Sequence, residues 1–104
     1  MKLDRNINVD GMGKYALLKL RNLRPGDLAV DAALRTLDEA GVLDWGNTVD
    51  SEFFVIRLKD KYADDALFRY ALSARHDGET DYALEIEEMA ERAGPNHPNC
   101  KKPD

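Results

Sequence analysis

Residues 51–61 read SEFFVIRLKDK, and the conformation of this stretch decides what the rest of the chain can build. Phe53, Phe54, Val55 and Ile56 follow one another with no Gly or Pro, which is the composition of a β-strand. In a strand, successive side chains point to opposite faces. Phe54, Ile56 and Leu58 would then share a wholly apolar face that needs a core. Phe53, Val55, Arg57 and Lys59 would share the other, where apolar groups alternate with cations. The reading predicts a central strand with one buried face and one face free for function.

Working outward, Lys14 to Leu23 (KYALLKLRNL) alternates in the same way. Ala16, Leu18 and Leu20 fall on one side, and Tyr15, Leu17, Lys19 and Arg21 on the other. Leu and Lys are also good helix formers, but the short length and the turn signals at both ends favour a strand. Residues 1–13 are polar and end in Asp10-Gly11-Met12-Gly13, so Asn6 to Val9 form either a short hairpin strand or part of a flexible lead-in.

Three helices complete the pattern. After the break at Arg24-Pro25-Gly26, Asp27 suits an N-cap, Val30, Ala33, Leu34 and Leu37 recur at helical spacing, and Gly41 supplies a left-handed C-terminal stop. Val42 to Asp50 is a connector whose Val42, Leu43 and Trp45 would plug the core. Asp60 ends the central strand and caps a second helix to Arg75. Thr80 caps a third, which runs to Ala93 and stops at Gly94-Pro95. The expected fold class is therefore α+β: a small two- to three-stranded sheet covered by three helices, in the order β-α-β-α-α. Residues 14–94 form one domain and 95–104 a tail. The expected core is Leu18, Leu20, Val30, Leu34, Leu37, Phe54, Ile56, Leu58, Leu67, Ile86 and Met89.

The chain of 104 residues has room for one core. No apolar run approaches the ~20 residues that span a bilayer, and the N-terminus lacks the apolar segment of a secretory signal. One cysteine, Cys100, excludes an internal disulfide. These features predict a cytoplasmic protein. The net charge of −5 is uneven: residues 1–61 balance ten basic against ten acidic side chains, whereas residues 62–104 hold five against ten. Such a chain does not coat nucleic acid broadly, because phosphate contacts need a cationic surface.

Four features bear on chemistry. If the two strands pair, Tyr15, Lys19, Arg21, Phe53, Arg57 and Lys59 form a basic, aromatic face of the kind that stacks bases and holds phosphates. The commoner reason for such a pattern is a strand edged with cations for solubility. Second, nine carboxylates between Asp64 and Glu91 face only Arg69 and Arg75, and Glu85, Glu88 and Glu91 offer an acidic surface to a basic protein partner. The commoner reason here is a solvated helix face. Third, His97-Pro98-Asn99-Cys100 has the spacing of half a zinc site, but no second Cys or His pair completes it, so neither metal nor cofactor is expected. Fourth, no phosphate loop, nucleophile elbow or zinc-protease motif is present, and the adjacent His76 and Asp77 cannot orient one another as a base and its anchor must. An enzyme is not indicated.

From Trp45-Gly46 through EFFVIRLKDKYA (52–63) to AERAGPNHPNCKKPD (90–104), the chain resembles small uncharacterised proteins of tailed bacteriophages. That resemblance implies a compact accessory protein in an infected bacterium, where small acidic proteins bind and block host or defence factors. The functional expectation is thus a non-enzymatic protein that binds a protein partner. A strand edge as apolar as Phe53 to Ile56 also favours self-association, with a dimer preferred. Two alternatives stand beside it: nucleic-acid or nucleotide binding on the basic sheet face, and a small enzyme or ligand-sequestering protein with a site at a subunit interface.

Overall fold

The computed structural model describes Leu3 and residues 13–103. The regular structure among them is helical: α1 Leu28–Glu39, α2 Ala63–His76 and α3 Thr80–Glu91, with short 3-10 turns at Leu20–Asn22 and Gly94–Asn96. The described residues hold no strand and no sheet, only an isolated parallel bridge between Asp60 and Lys101. The architecture is all-α, and the α+β expectation is overturned. Two physical reasons account for this. Lys14 to Leu23 alternates in polarity but contains no Val, Ile or Thr, so it lacks the branched side chains that favour a pleated backbone. It folds instead as an irregular segment ending in a 3-10 turn. Residues 52–57 then have no neighbouring strand to take their hydrogen bonds, and a β-prone segment without a ladder is not a strand. The hairpin considered for Asn6 to Val9 lies outside the described residues.

The chain divides into two units, one spanning Ala16–Phe54 and the other comprising Val55 onward with the described residues up to Tyr15. In the second unit, α2 and α3 pack as an antiparallel helical hairpin. The turn between them is fixed by chemistry. Gly78 adopts φ +86°, its N–H donates to the Arg75 carbonyl at 3.0 Å, and the Glu79 N–H donates back to the Ala74 carbonyl at 3.0 Å. This is the Schellman arrangement, which satisfies the last carbonyls of a helix and needs a residue free to adopt left-handed φ. Thr80 is the first residue of α3, and Glu79 occupies the cap position without a side-chain bond.

The buried residues of this unit are small. Ala63, Ala71, Ala83, Ala90 and Ala93 are fully buried, Ile86 is the largest side chain hidden completely, and Met89 is nearly so. Ala63, Leu67, Ala71 and Ala74 form one stripe along α2; Ala83, Ile86, Ala90 and Ala93 form its counterpart on and just beyond α3. Small side chains on both stripes let the backbones approach closely, and Ile86 fills the space left between them. Arg75 donates to Glu87 Oε1 through Nε at 3.2 Å and Nη2 at 2.7 Å, tying the two helices along their partly buried edge.

The segment after α3 returns to the start of the unit. Gly94, at φ +61°, donates its N–H to the Leu58 carbonyl at 2.8 Å. Lys101 donates to the Lys59 carbonyl at 2.9 Å and accepts from the Lys61 N–H at 2.9 Å. Residues 94–101 are thereby strapped along 58–61.

The unit Ala16–Phe54 is built differently. Asp27 caps α1 by accepting from the Val30 N–H at 3.2 Å, and Gly41 (φ +73°) closes it in a second Schellman arrangement, with Val42 N–H to the Leu37 carbonyl at 3.0 Å. Trp45 Nε1 donates to Asp38 Oδ1 at 3.0 Å, and the ring of Phe53 lies directly over Gly46, where any β-carbon would collide with it. Thr48 and Ser51 exchange backbone-to-side-chain bonds and join hydroxyls at 2.7 Å. Both ends of α1 and the turn at 48–51 are thus satisfied locally, yet no residue from 16 to 54 is buried. Of the expected core, only Ile86 and Met89 are buried; Phe54 is 87% exposed, and Leu18, Leu20, Leu37 and Ile56 are all exposed. Side-chain size misplaced the core, because in a helical hairpin close approach is bought by alanine. No helix among the described residues is long and apolar enough to cross a membrane.

Candidate functional site

Two surfaces stand out. The first is the outer side of α3. Glu85, Glu88 and Glu91 recur every third residue, and all three are exposed, as are Asp81 and Leu84 beside them. Their backbone belongs to the packed hairpin, so the carboxylates are held on a fixed helix rather than on a loop. Glu85 Oε2 accepts from the Leu3 N–H at 3.1 Å. The opposite side of α3 is the alanine and isoleucine stripe, which explains the division. One face is consumed by packing and the other carries the exposed carboxylates.

The second surface lies in residues 16–54. Large apolar side chains there are open to solvent: Val49 is 98% exposed, Phe54 87%, Leu28 81% and Trp45 44%. Single exposed apolar residues are ordinary, but here a whole unit displays them while none of its residues is buried, which makes this surface a candidate for contact with another molecule. Trp45 was expected to plug a core and instead sits at this surface, bonded to Asp38. The signal that would have found it is in the sequence. From Thr36 to Ile56 there are five carboxylates and no cation, interleaved with Val42, Trp45, Val49, Phe53 and Phe54. A reading centred on strand alternation passes over that pattern.

The residues expected to form a basic sheet face are not joined by any sheet. Lys19, Arg21 and Phe53 belong to the 16–54 unit, whereas Tyr15, Arg57 and Lys59 belong to the other. All but Lys59 are exposed, and Lys59 is partly covered, its carbonyl engaged by Lys101. The platform that would have stacked bases is therefore missing among the described residues, although the cations themselves are present.

The other chemistry-bearing groups lie at the end of α2 and in the segment after α3. His76 ends α2 and Asp77 caps it, both exposed. His97 Nδ1 accepts from the Asn99 N–H at 3.0 Å, and Cys100 is exposed. Among the described residues, no three His, Cys, Asp or Glu side chains gather as a metal site. An open depression of about 330 Å³ is lined by Gly46, Asn47, Thr48, Val49 and Glu52, within the second surface.

Tyr70 and Tyr82 join the hairpin by their hydroxyls at 3.0 Å, with rings edge to face at 6.1 Å. The bond to Tyr70, and then burial, push the Tyr82 phenol up from 10.0 to about 12. A phenol raised on folding stays protonated in the native state while the unfolded chain ionises, so the contribution is complete below pH 10 and is lost as pH rises through 12. Titration of tyrosinate absorbance should show a late ionisation from Tyr82, and Tyr70→Phe should bring it back towards the ordinary phenol range. An unchanged late ionisation in that variant would remove the hydroxyl pair as its cause.

No protein-family model, no curated protein and no solved structure matches this chain.

Proposed function

We propose that the chain is a non-enzymatic protein-interaction module that acts by docking onto protein partners. One observation carries this reading: α1 is capped at both ends, yet no residue from 16 to 54 is buried and Val49, Phe54, Leu28 and Trp45 are exposed. Displayed apolar area of this kind gains stability only when another surface covers it, at about 25 cal/mol per Å² removed from water. The α3 stripe of Glu85, Glu88 and Glu91 supplies a second contact, suited to a basic patch on a partner, where charge sets encounter rate and selectivity. In the setting that the resemblance to phage proteins implies, such a module would bind and block a host or defence factor.

The test is capture from bacterial lysate with the full chain as bait, in nuclease-treated and untreated halves. Two variants accompany it, Val49→Asp/Phe54→Asp and Glu85→Lys/Glu88→Lys/Glu91→Lys. The expected result is a protein partner that survives nuclease and falls about tenfold in recovery with at least one variant while helix content is unchanged. Recovery of nucleic acid alone, or of proteins indifferent to both variants, would overturn the reading.

A further inference from the structure

We infer that the occupant of the 16–54 surface is a second copy of this chain, docked reciprocally. The inference rests on the interaction-module reading and names the partner. Its basis is charge complementarity within one unit. Residues 16–24 carry Lys19, Arg21 and Arg24 and no acid, among exposed Leu17, Leu18, Leu20 and Leu23. Residues 37–54 carry Asp38, Glu39, Asp44, Asp50 and Glu52 and no base, among exposed Val42, Trp45, Val49 and Phe54. Each strip is apolar with a single sign of charge, and the two signs are opposite.

A two-fold dimer is self-complementary by construction: if strip one of a protomer meets strip two of its mate, the mate's strip one meets strip two in return. Both strips belong to the one compact unit Ala16–Phe54, so a single docking element carries both. The pairing covers apolar side chains with apolar side chains and sets cations against carboxylates at the rim, which is the anatomy of a specific interface. A standard interface uses roughly 20–30 residues a side, a number that residues 16–54 can supply. The same reasoning explains why this unit lacks a core: the core is completed between two chains.

Charge exchange tests it on the full chain. Lys19→Glu/Arg24→Glu makes both strips acidic, and Asp50→Lys/Glu52→Lys places cations opposite cations. Native mass should be a dimer for the natural chain. Each variant alone should dissociate about 100-fold more readily, and the two mixed should recover dimer to within about tenfold, because every contact in the mixed pair again joins opposite charges. Trp45 is the sole tryptophan and reports coverage directly, its emission shifting to shorter wavelength in the dimer and in the mixed pair but in neither variant alone. Helix content must match the natural chain, and a variant that has lost it is replaced by the single change Lys19→Glu or Glu52→Lys. A dimer indifferent to both exchanges, or one that mixing fails to restore, would overturn the inference. So would a natural chain that is monomeric at every concentration. A monomer that still captures a foreign protein through Val49 and Phe54 would overturn it while leaving the interaction module intact. A monomer that captures none would overturn both, and nucleic acid held by Lys19 and Arg24 would do the same.

Discussion

Replacing Gly94 by Val should cost the helical hairpin roughly 3–4 kcal/mol, a large part of the 5–15 kcal/mol that usually holds a domain together. Two causes add. Gly94 sits at φ +61°, where a side chain costs about 1–2 kcal/mol and a β-branched one is worse. A β-carbon there would also meet the Asp64 side chain, with Cγ at 2.7 Å and Cβ at 3.2 Å, so that carboxylate must swing away and its Cβ give by a few tenths of an ångström, and the branched side chain of valine crowds the same place; overpacking of this kind costs about 1–3 kcal/mol. The displacement should also disturb the bond from the Gly94 N–H to the Leu58 carbonyl, which begins the strap of residues 94–101. Urea unfolding followed by helix signal measures the loss. A change below about 1 kcal/mol would mean that neither the backbone angle nor the contact with Asp64 constrains this position.

What the sequence made legible were the features written in single residues. Asp27 before α1, Gly41 after it, and the interruption at Asp77-Gly78 are local chemistry, and a cap or a left-handed turn needs only its own few neighbours. The sheet was a statement about two segments at once. Alternation at 14–23 and β-propensity at 51–61 each read as strand, but a strand exists only if both partners do, and Lys14 to Leu23 has leucines where a sheet prefers Val, Ile or Thr. The exposed apolar surface of residues 16–54 is hidden from a sequence reading for a related reason. Trp45 and Phe54 read as inward because large apolar residues usually go inward, and a single chain's sequence does not distinguish a side chain buried by its own fold from one buried by another molecule. The acidic stripe of α3 was legible because helical spacing alone places Glu85, Glu88 and Glu91 together, opposite the alanines.

That distinction gives the second large effect. Ile86→Ala should destabilise the chain by about 3 kcal/mol, whereas Phe54→Ala should change the stability of the monomer by less than about 0.5 kcal/mol. Ile86 is 1% exposed and packs in a cluster with Ala71 and Ala83, against which Leu67, Ala74 and Tyr82 lie, and the alanines cannot fill the space it would vacate. Truncation therefore loses both the transfer of its methyl groups from water and the contacts around the cavity. Phe54 is larger, but at 87% exposure it has little burial to lose in a single chain. Its contribution is expected in association, where Phe54→Ala should weaken the dimer by tenfold or more if the ring lies at the centre of the covered surface. Denaturation at a concentration far below the dimer's dissociation constant isolates the monomer, and native mass near that constant isolates the association. A Phe54→Ala chain that loses stability as a monomer to the same extent as Ile86→Ala would show that the ring is buried by its own fold, and the 16–54 surface would have to be redrawn. A loss confined to association would locate the missing core of this unit between chains.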